Sequence, residues 1–182
     1  LRIEDLDPPR EETGSTTQII QALSTYGFQW DQEIIYQSTR YNLYQKYVDQ
    51  LLEQQLAFPC ACSRSEVAAT QNGTGSQVYT GTCRNGIADG KESRSIRIRV
   101  DAEKAEIEFY DVIQGTFRQN ITAEVGDFII QRADGLHAYQ LAVVIDDIAQ
   151  GVTEVVRGSD LLDSTPRQLY LYLLLDTPTP NY

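Results

Sequence analysis

The sequence predicts an α/β protein with helices and short strands at both ends and a β-rich middle. Three observations lead there. Apolar residues recur at helical spacing near 19–26, 43–52 and 165–175. Between Ser93 and Arg132 the pattern changes to alternation of period two. With 182 residues and 41% hydrophobic content, the chain can bury a core as one domain, or as one domain interrupted by a smaller insertion. No internal repeat is visible.

Taken in order, Leu1-Arg2-Ile3-Glu4-Asp5-Leu6 alternates like the end of a strand, and Asp7-Pro8-Pro9-Arg10 breaks it. Ile19, Ile20, Leu23 and Tyr26 share a helical face, with Gly27 placed for a left-handed terminus. A second helix is expected from Ser38 as N-cap, through Leu43/Tyr44, Tyr47/Val48 and Leu51/Leu52, to about Gln55. Ser63-Arg64-Ser65-Glu66 reads as a capping box opening a short helix, and the Asn/Gly/Thr/Ser-rich residues 70–76 read as a loop. In the middle, Ile96, Ile98 and Val100 alternate with Arg97 and Arg99, and Ile107 and Phe109 with Glu106 and Glu108. An apolar segment, Leu141 to Ile145, leads into Asp146-Asp147 and a strand over Val152 to Val156. Thr165-Pro166-Arg167-Gln168 combines an N-cap, proline at N1 and glutamine at N3, opening a helix through Leu175.

All the sulfur lies in one place: Cys60-Ala61-Cys62, then Tyr79-Thr80-Gly81-Thr82-Cys83. Two thiolates one residue apart can grip a metal ion from a tight turn, and a second turn can complete a tetrahedron. The alternatives are buried thiols and, for Tyr79, a core aromatic. An odd thiol count, with no signal peptide and no apolar run of membrane length, argues against a disulfide framework and for the cytosol. The 26 acidic and 15 basic residues give a net charge of −11, which by itself speaks against a nucleic-acid partner. The chain opens at Leu1 and stops after Pro178-Thr179-Pro180-Asn181-Tyr182 without a closing element, so a longer protein is expected and this charge need not represent it.

Glu4 follows one strand and Arg157 another, and open α/β sheets bind ligands beyond the carboxyl ends of their strands. A carboxylate and a guanidinium there can hold the two charges of an amino acid's head group; a surface salt bridge or a capping glutamate is the alternative. Asp146-Asp147 is a metal-binding pair or a solvated or capping one. His137, the single histidine, is an acid/base group or a surface ring near a turn. No Ser-His-Asp set is present, which disfavours an imidazole-driven hydrolase.

Several blocks then occur in a telling order: Arg2-Ile3-Glu4-Asp5-Leu6-Asp7, Tyr26-Gly27-Phe28-Gln29-Trp30-Asp31, Tyr36-Gln37-Ser38 and the Cys60/Cys62 turn. Tyr139-Gln140-Leu141-Ala142-Val143-Val144-Ile145-Asp146-Asp147 and Gly151-Val152-Thr153-Glu154-Val155-Val156-Arg157-Gly158-Ser159-Asp160-Leu161 follow. Over its whole length the chain resembles the catalytic domain of the class I glutamyl-tRNA synthetases, and most of all a short bacterial branch of that family.

The resemblance implies a Rossmann-like α/β domain of the class I aminoacyl-tRNA synthetase type, split by a zinc-bearing, β-containing insertion. Residues 1–57 and 136–182 are its two parts and 58–135 the inserted region. It implies that Glu4 holds the α-ammonium of glutamate, that Tyr139 contacts this substrate, and that Arg157 binds a carboxylate. It implies structural zinc on Cys60, Cys62, Tyr79 and Cys83, with tyrosine as the mark of the short branch. Full-length synthetases with zinc supply Cys and His after a longer spacer, and His137 is too far along for that. ATP with Mg²⁺ would form glutamyl-adenylate, and a monomer would pass the glutamyl group to queuosine in the anticodon of tRNA(Asp), without a membrane partner. Arg94, Arg97, Arg99 and Arg167 are the candidate cations for RNA; the alternative is that they are solvated or paired with the abundant acids. The family's His-containing phosphate signature is expected before Leu1 and its Lys-Ser-Lys loop beyond Tyr182. Alternatives are a catalytic-domain fragment of an ordinary glutamyl-tRNA synthetase, or a zinc-stabilised RNA-binding module without activity.

Overall fold

The computed structural model describes residues 1–69 and 78–182, so the loop expected over 70–76 lies outside the described residues. The chain falls into two units, Leu1–Leu43 and Tyr44–Tyr182.

In the first unit β1 (Arg2–Ile3) and β2 (Ile35–Tyr36) run parallel, with Arg2 opposite Ile35. Parallel neighbours need a crossover, and α1 (Ser15–Thr25) supplies it. The result is a βαβ unit, as the α/β reading requires. Gly27 ends α1 at φ 82°, its N–H bonding Ser24 O while the Phe28 N–H bonds Leu23 O. These are the paired bonds of a left-handed helix terminus. The apolar pattern of α1 makes a helix without burying it: Ile19 is 54% and Tyr26 83% exposed.

Ser38 is not the N-cap that its position suggests. A 3₁₀ turn over Gln37–Thr39 precedes α2 (Tyr41–Glu53). Ser38 instead donates its backbone N–H (2.9 Å) and its hydroxyl (2.6 Å) to the Asp5 carboxylate. Bonds to an ionised acceptor are roughly twice as strong as neutral ones, so Asp5 outcompetes the helix terminus. This clamp ties the chain after β1 to the turn after β2, and Glu4 stands beside it.

In the second unit α2 buries Tyr44, Val48 and Leu51, one helical face. Among the described residues five strands follow: β3 (Ala57–Cys60), β4 (Ser95–Ile98), β5 (Glu106–Asp111), β6 (Gly115–Asn120) and β7 (Ile129–Gln131). β3, β4 and β7 form an antiparallel sheet in that order, and β5 and β6 a separate hairpin. The hairpin alternates as expected, Ile107 and Phe109 turning inward, with Phe109 against Phe117 at 5.5 Å. In β4 the alternation fails. This strand is central, with cover on both faces, and its register shifts between Ile96 and Arg97, so Arg97 is buried while Ile96 is only half-buried. Arg97 and Arg99 are therefore not an outward basic edge.

The helices are α3 (Arg64–Ala69), α4 (Ile121–Glu124), α5 (Tyr139–Gln150) and α6 (Thr165–Leu174). The capping box forms: Ser63 N–H donates to Glu66 Oε2 at 2.8 Å and Glu66 N–H to Ser63 Oγ at 3.2 Å. The segment Leu141–Ile145 is the buried face of α5. Val152–Val156 is not a strand of a sheet. It is extended chain that pairs with Asn181 through Val155 N–H to Asn181 O and Asn181 N–H to Thr153 O, both 2.9 Å. Thr165 is the first residue of α6, not its cap, because a 3₁₀ turn over Ser159–Ser164 feeds the helix and the Thr165 hydroxyl serves Arg157. Among the described residues no helix is long and apolar enough to cross a membrane.

Gln55, at φ 59°, occupies the left-handed position that ends α2, with Gln55 N–H to Leu52 O and Leu56 N–H to Leu51 O. A side chain there is strained relative to glycine. Gln55→Gly should therefore stabilise the protein by up to about 1 kcal/mol, read as a shift in the urea midpoint at unchanged slope.

Candidate functional site

Four donors converge in the second unit. β3 delivers Cys60 and the chain after it Cys62, while Tyr79 and Cys83 approach from the other side of the sequence. The three sulfurs lie within 4.8 Å of one another. Cys62 and Cys83 Sγ are 3.6 Å apart, and the Tyr79 hydroxyl is 3.4 Å from Cys60 Sγ and 3.7 Å from Cys62 Sγ. A zinc tetrahedron with ordinary bond lengths has S···S edges of about 3.8 Å and S···O edges of about 3.5 Å. The donor set thus has the spacing of a four-coordinate centre. The backbone N–H of Cys83 donates to the Tyr79 oxygen at 2.9 Å, which aims a lone pair inward.

Electrostatics favour a cation there. Burial alone would raise the Cys60 thiol, but hydrogen bonds from Tyr79 and Arg97 bring it below its ordinary value. Burial pushes Cys62 up to about 11, with the neighbouring thiols adding to it, and burial raises the Tyr79 phenol strongly. One buried cation answers this cluster. Arg97 donates from Nε to Cys60 Sγ at 3.3 Å, and its guanidinium stacks 4.0 Å from the centre of the Tyr79 ring. Three thiolates and a phenolate carry four negative charges, of which Arg97 offsets one. A divalent ion offsets two more and reverses the pKa logic.

Two further features seat these donors. Gly126, at φ +71°, pairs with Tyr79, and a Cβ on it would lie 2.4 Å from the Tyr79 carbonyl oxygen. Glycine is required for so close an approach. Next to it, the Asp127 carboxylate has no exposure and takes a two-pronged bond from Arg84, beside Cys83, and the N–H of Val100 at 2.9 Å. Arg97, Arg84, Gly126 and Asp127 are residues that sequence reasoning missed as parts of this centre. Alternation put Arg97 outside, and Gly126-Asp127 reads as a plain turn dipeptide.

The amino-acid candidates are distributed over both units. In the first, Glu4 takes two bonds from Arg2, 3.2 Å and 3.0 Å, both at Oε1. Both bonds leave Oε2 outside the pair, and Glu4 lines a cavity of about 410 Å³ with Arg2, Asp5 and Asp7. In the second, Arg157 donates to Gln168 Oε1 at 2.8 Å and to the Thr165 hydroxyl, and lies 5.3 Å from the Tyr182 ring centre. Gln168 in turn donates to Gln140 at 2.9 Å, next to Tyr139 in the first turn of α5. Arg157 lines a cavity of about 180 Å³ with Thr165 and Tyr182; Tyr139, half-buried, is not part of that lining.

Asp146 and His137 take neither of the roles open to them as surface groups. Asp146 has no exposure and accepts the Tyr44 hydroxyl at 2.8 Å, so it is a buried acceptor and neither solvated nor capping. His137 is 4% exposed, edge-on to the Tyr44 ring at 5.5 Å, and burial lowers its pKa. A β-bridge to Gln131 draws it inside.

The family model for class I tRNA synthetases (E and Q), catalytic domain, matches residues 1–182. The chain is 50% identical over 183 residues to the glutamyl-Q tRNA(Asp) synthetase of Chromobacterium violaceum, covering 100% of this chain and 61% of that protein. To the one from Thiobacillus denitrificans it is 50% identical, covering 100% and 60%. It thus spans about three-fifths of the length of the curated relatives it matches. The crystal structure of a glutamate tRNA ligase from Elizabethkingia meningosepticum, in complex with its amino acid, superposes with a TM-score of 0.83 at 25% identity. That likeness covers 100% of this chain and 41% of the ligase. With an α/β fold and a family match from end to end, this chain belongs to the catalytic domains of the class I tRNA synthetases for glutamate and glutamine.

Proposed function

We propose that the protein activates glutamate with ATP and transfers the glutamyl group to queuosine in the anticodon of tRNA(Asp). The observation that carries this is the Tyr79 phenol seated among Cys60, Cys62 and Cys83, the donor set of the short branch. The names of the relatives at 50% identity support it, against 25% for the glutamate tRNA ligase. In the first step a glutamate carboxylate oxygen bonds to the α-phosphorus of ATP and pyrophosphate leaves. In the second, an RNA hydroxyl attacks the acyl carbon and AMP leaves.

On this reading the protein positions the substrates and forms no covalent bond itself. Glu4 holds the ammonium through Oε2, and Arg157 grips a carboxylate with the N–H groups that Gln168 and Thr165 leave over. Tyr139 contacts the same substrate, and Mg²⁺ accompanies ATP. Zinc on Cys60, Cys62, Tyr79 and Cys83 is structural, since four protein ligands leave no open position. Residues 58–135 form the zinc-bearing insertion between the Rossmann-like parts 1–57 and 136–182, in a cytosolic monomer.

Metal analysis of the purified protein should give one zinc per chain, and Gly126→Ala should lose it and lower the melting temperature. A stoichiometric variant, or a wild type without tightly held metal, contradicts the assignment. Arg157→Lys should cost roughly 2 kcal/mol of glutamate binding, because lysine cannot make the two-pronged bond. Glutamate-dependent ATP–pyrophosphate exchange measures it, and an unchanged KM for glutamate counts against the role. With ATP and labelled glutamate, the full-length protein should label tRNA(Asp) only when it carries queuosine, and the label should survive removal of the 3′ adenosine. Efficient charging of tRNA(Glu) would establish an ordinary glutamyl-tRNA synthetase instead.

A further inference from the structure

A second basic feature of the second unit lies beside the thiol cluster and shares Arg97 with it. A cavity of about 490 Å³ opens between α3, β4, the start of β7 and the first turns of α5 and α6, and three of its lining residues are Arg64, Arg97 and Arg167. The carboxylate in its wall, Asp127, is already engaged by Arg84 and by Val100 N–H. The cavity is therefore positive inside a chain whose net charge is −11.

None of the three guanidiniums is neutralised by a carboxylate among the described residues. Arg97 is 8% exposed; its Nε and one terminal nitrogen bond Cys60 Sγ and Asp127 O, and the rest of its five donors have no hydrogen-bond partner there. Arg167 has a buried Nε without a partner, and its other contacts, to Asp163 O and Ser164 Oγ, are both long at 3.4 Å. Burial holds its pKa below the ordinary value, against the pull of Asp163. Arg64 makes no ion pair among the described residues and is exposed at the rim. A desolvated donor with its bond unmade, as Arg167 Nε is, is costly unless a ligand completes it. Apart from Asp127 and Gln140, the rest of the wall is apolar, with Val67, Phe128 and Ile129 beside the arginines.

We propose that this cavity binds a phosphate group of a nucleotide, held by Arg64, Arg97 and Arg167 with the sugar or base against the apolar wall. Guanidinium forks match phosphate oxygens, and the cavity is large enough for more than a bare anion. Two sources carry this chemistry, the backbone of an RNA and a free nucleotide such as ATP. The overall acidity repels RNA at a distance, so a phosphate contact has to be short-range and local, as it is here. The RNA source rests on the function proposed above; phosphate binding itself does not.

The test uses the full-length protein with Arg64→Gln/Arg167→Gln and Arg64→Lys/Arg167→Lys, leaving Arg97 in place beside the thiols. Fluorescence anisotropy with labelled queuosine-containing tRNA(Asp) gives the dissociation constant and its salt dependence, and ATP–pyrophosphate exchange gives the KM for ATP. The glutamine pair should weaken tRNA binding by roughly tenfold or more and reduce the salt slope by about 1.5 to 2, with the KM for ATP unchanged. The lysine pair should keep most of the slope. A raised KM for ATP with tRNA affinity intact upholds the phosphate cavity and makes the free nucleotide its source. If neither quantity moves by more than twofold, the proposal is overturned. Should the glutamine pair melt early, Arg64→Gln alone, at an exposed position, decides by the same readings. Arginine-dependent tRNA binding without transfer to queuosine would overturn the proposed acceptor and leave the cavity standing.

Discussion

The buried carboxylate of Asp127 is the point on which the second unit turns. It has no exposure, and it is satisfied by the Arg84 guanidinium and the Val100 N–H. Through Arg84 it fixes the turn that presents Cys83. Its own carbonyl accepts from Arg97 at 2.8 Å, which aims Arg97 at Cys60. Gly126, one residue earlier, lets the Tyr79 backbone pass. Two adjacent residues therefore set three members of the donor cluster. Such a pair is not a large source of stability in itself, since the cost of burying the Asp127 charge offsets much of the attraction. Its effect is specificity of position, because removing Arg84 strands the Asp127 charge in a dry site.

The donor cluster shows why that positioning matters. Cys60, Ala61, Tyr79 and Cys83 form a small apolar core with Phe58, so the ligands are also the packing. Without a cation, burial favours the protonated Cys62 thiol and Tyr79 phenol, while the Arg97 guanidinium helps to favour the Cys60 thiolate. A cation seated among these donors would add to this small apolar core, because a metal that binds only the folded arrangement stabilises it.

Much of the fold could be read from the sequence, and the failures share a cause. Helical periodicity located α1, α2 and α6, Gly27 the end of α1, and Ser63/Glu66 the start of α3, because each depends on neighbours within four residues. Ser38 and Thr165 stand where caps are expected, and each is taken by a partner outside that helix, Asp5 and Arg157. Arg97 was assigned outward because alternation assumes one covered face, whereas β4 is the central strand and is covered on both. The segment Val152–Val156 has strand composition but only Asn181 to pair with. The site residues were legible as types: three cysteines, one phenol, one arginine after an extended segment. Their supports were not, since Gly126 and Asp127 take their meaning from chain segments some 25 to 50 residues away.

Charge provides the last distinction. Arginines in this chain divide by what they face. Arg2, Arg84, Arg118 and Arg132 are paired with carboxylates, so their charge is spent on holding the chain together. Arg157 is oriented by an amide, a hydroxyl and an aromatic ring, and Arg167 by a carbonyl and a hydroxyl. Neutral acceptors fix a guanidinium in place without cancelling its charge, and preorganised charge of that kind is what an anionic ligand requires. With 26 acidic residues available against 15 basic ones, an arginine bonded to none of their carboxylates is poorly explained by stability. Arg157 and Arg167 are two such arginines, each in the wall of a cavity of the second unit, and both keep their charge for an anion.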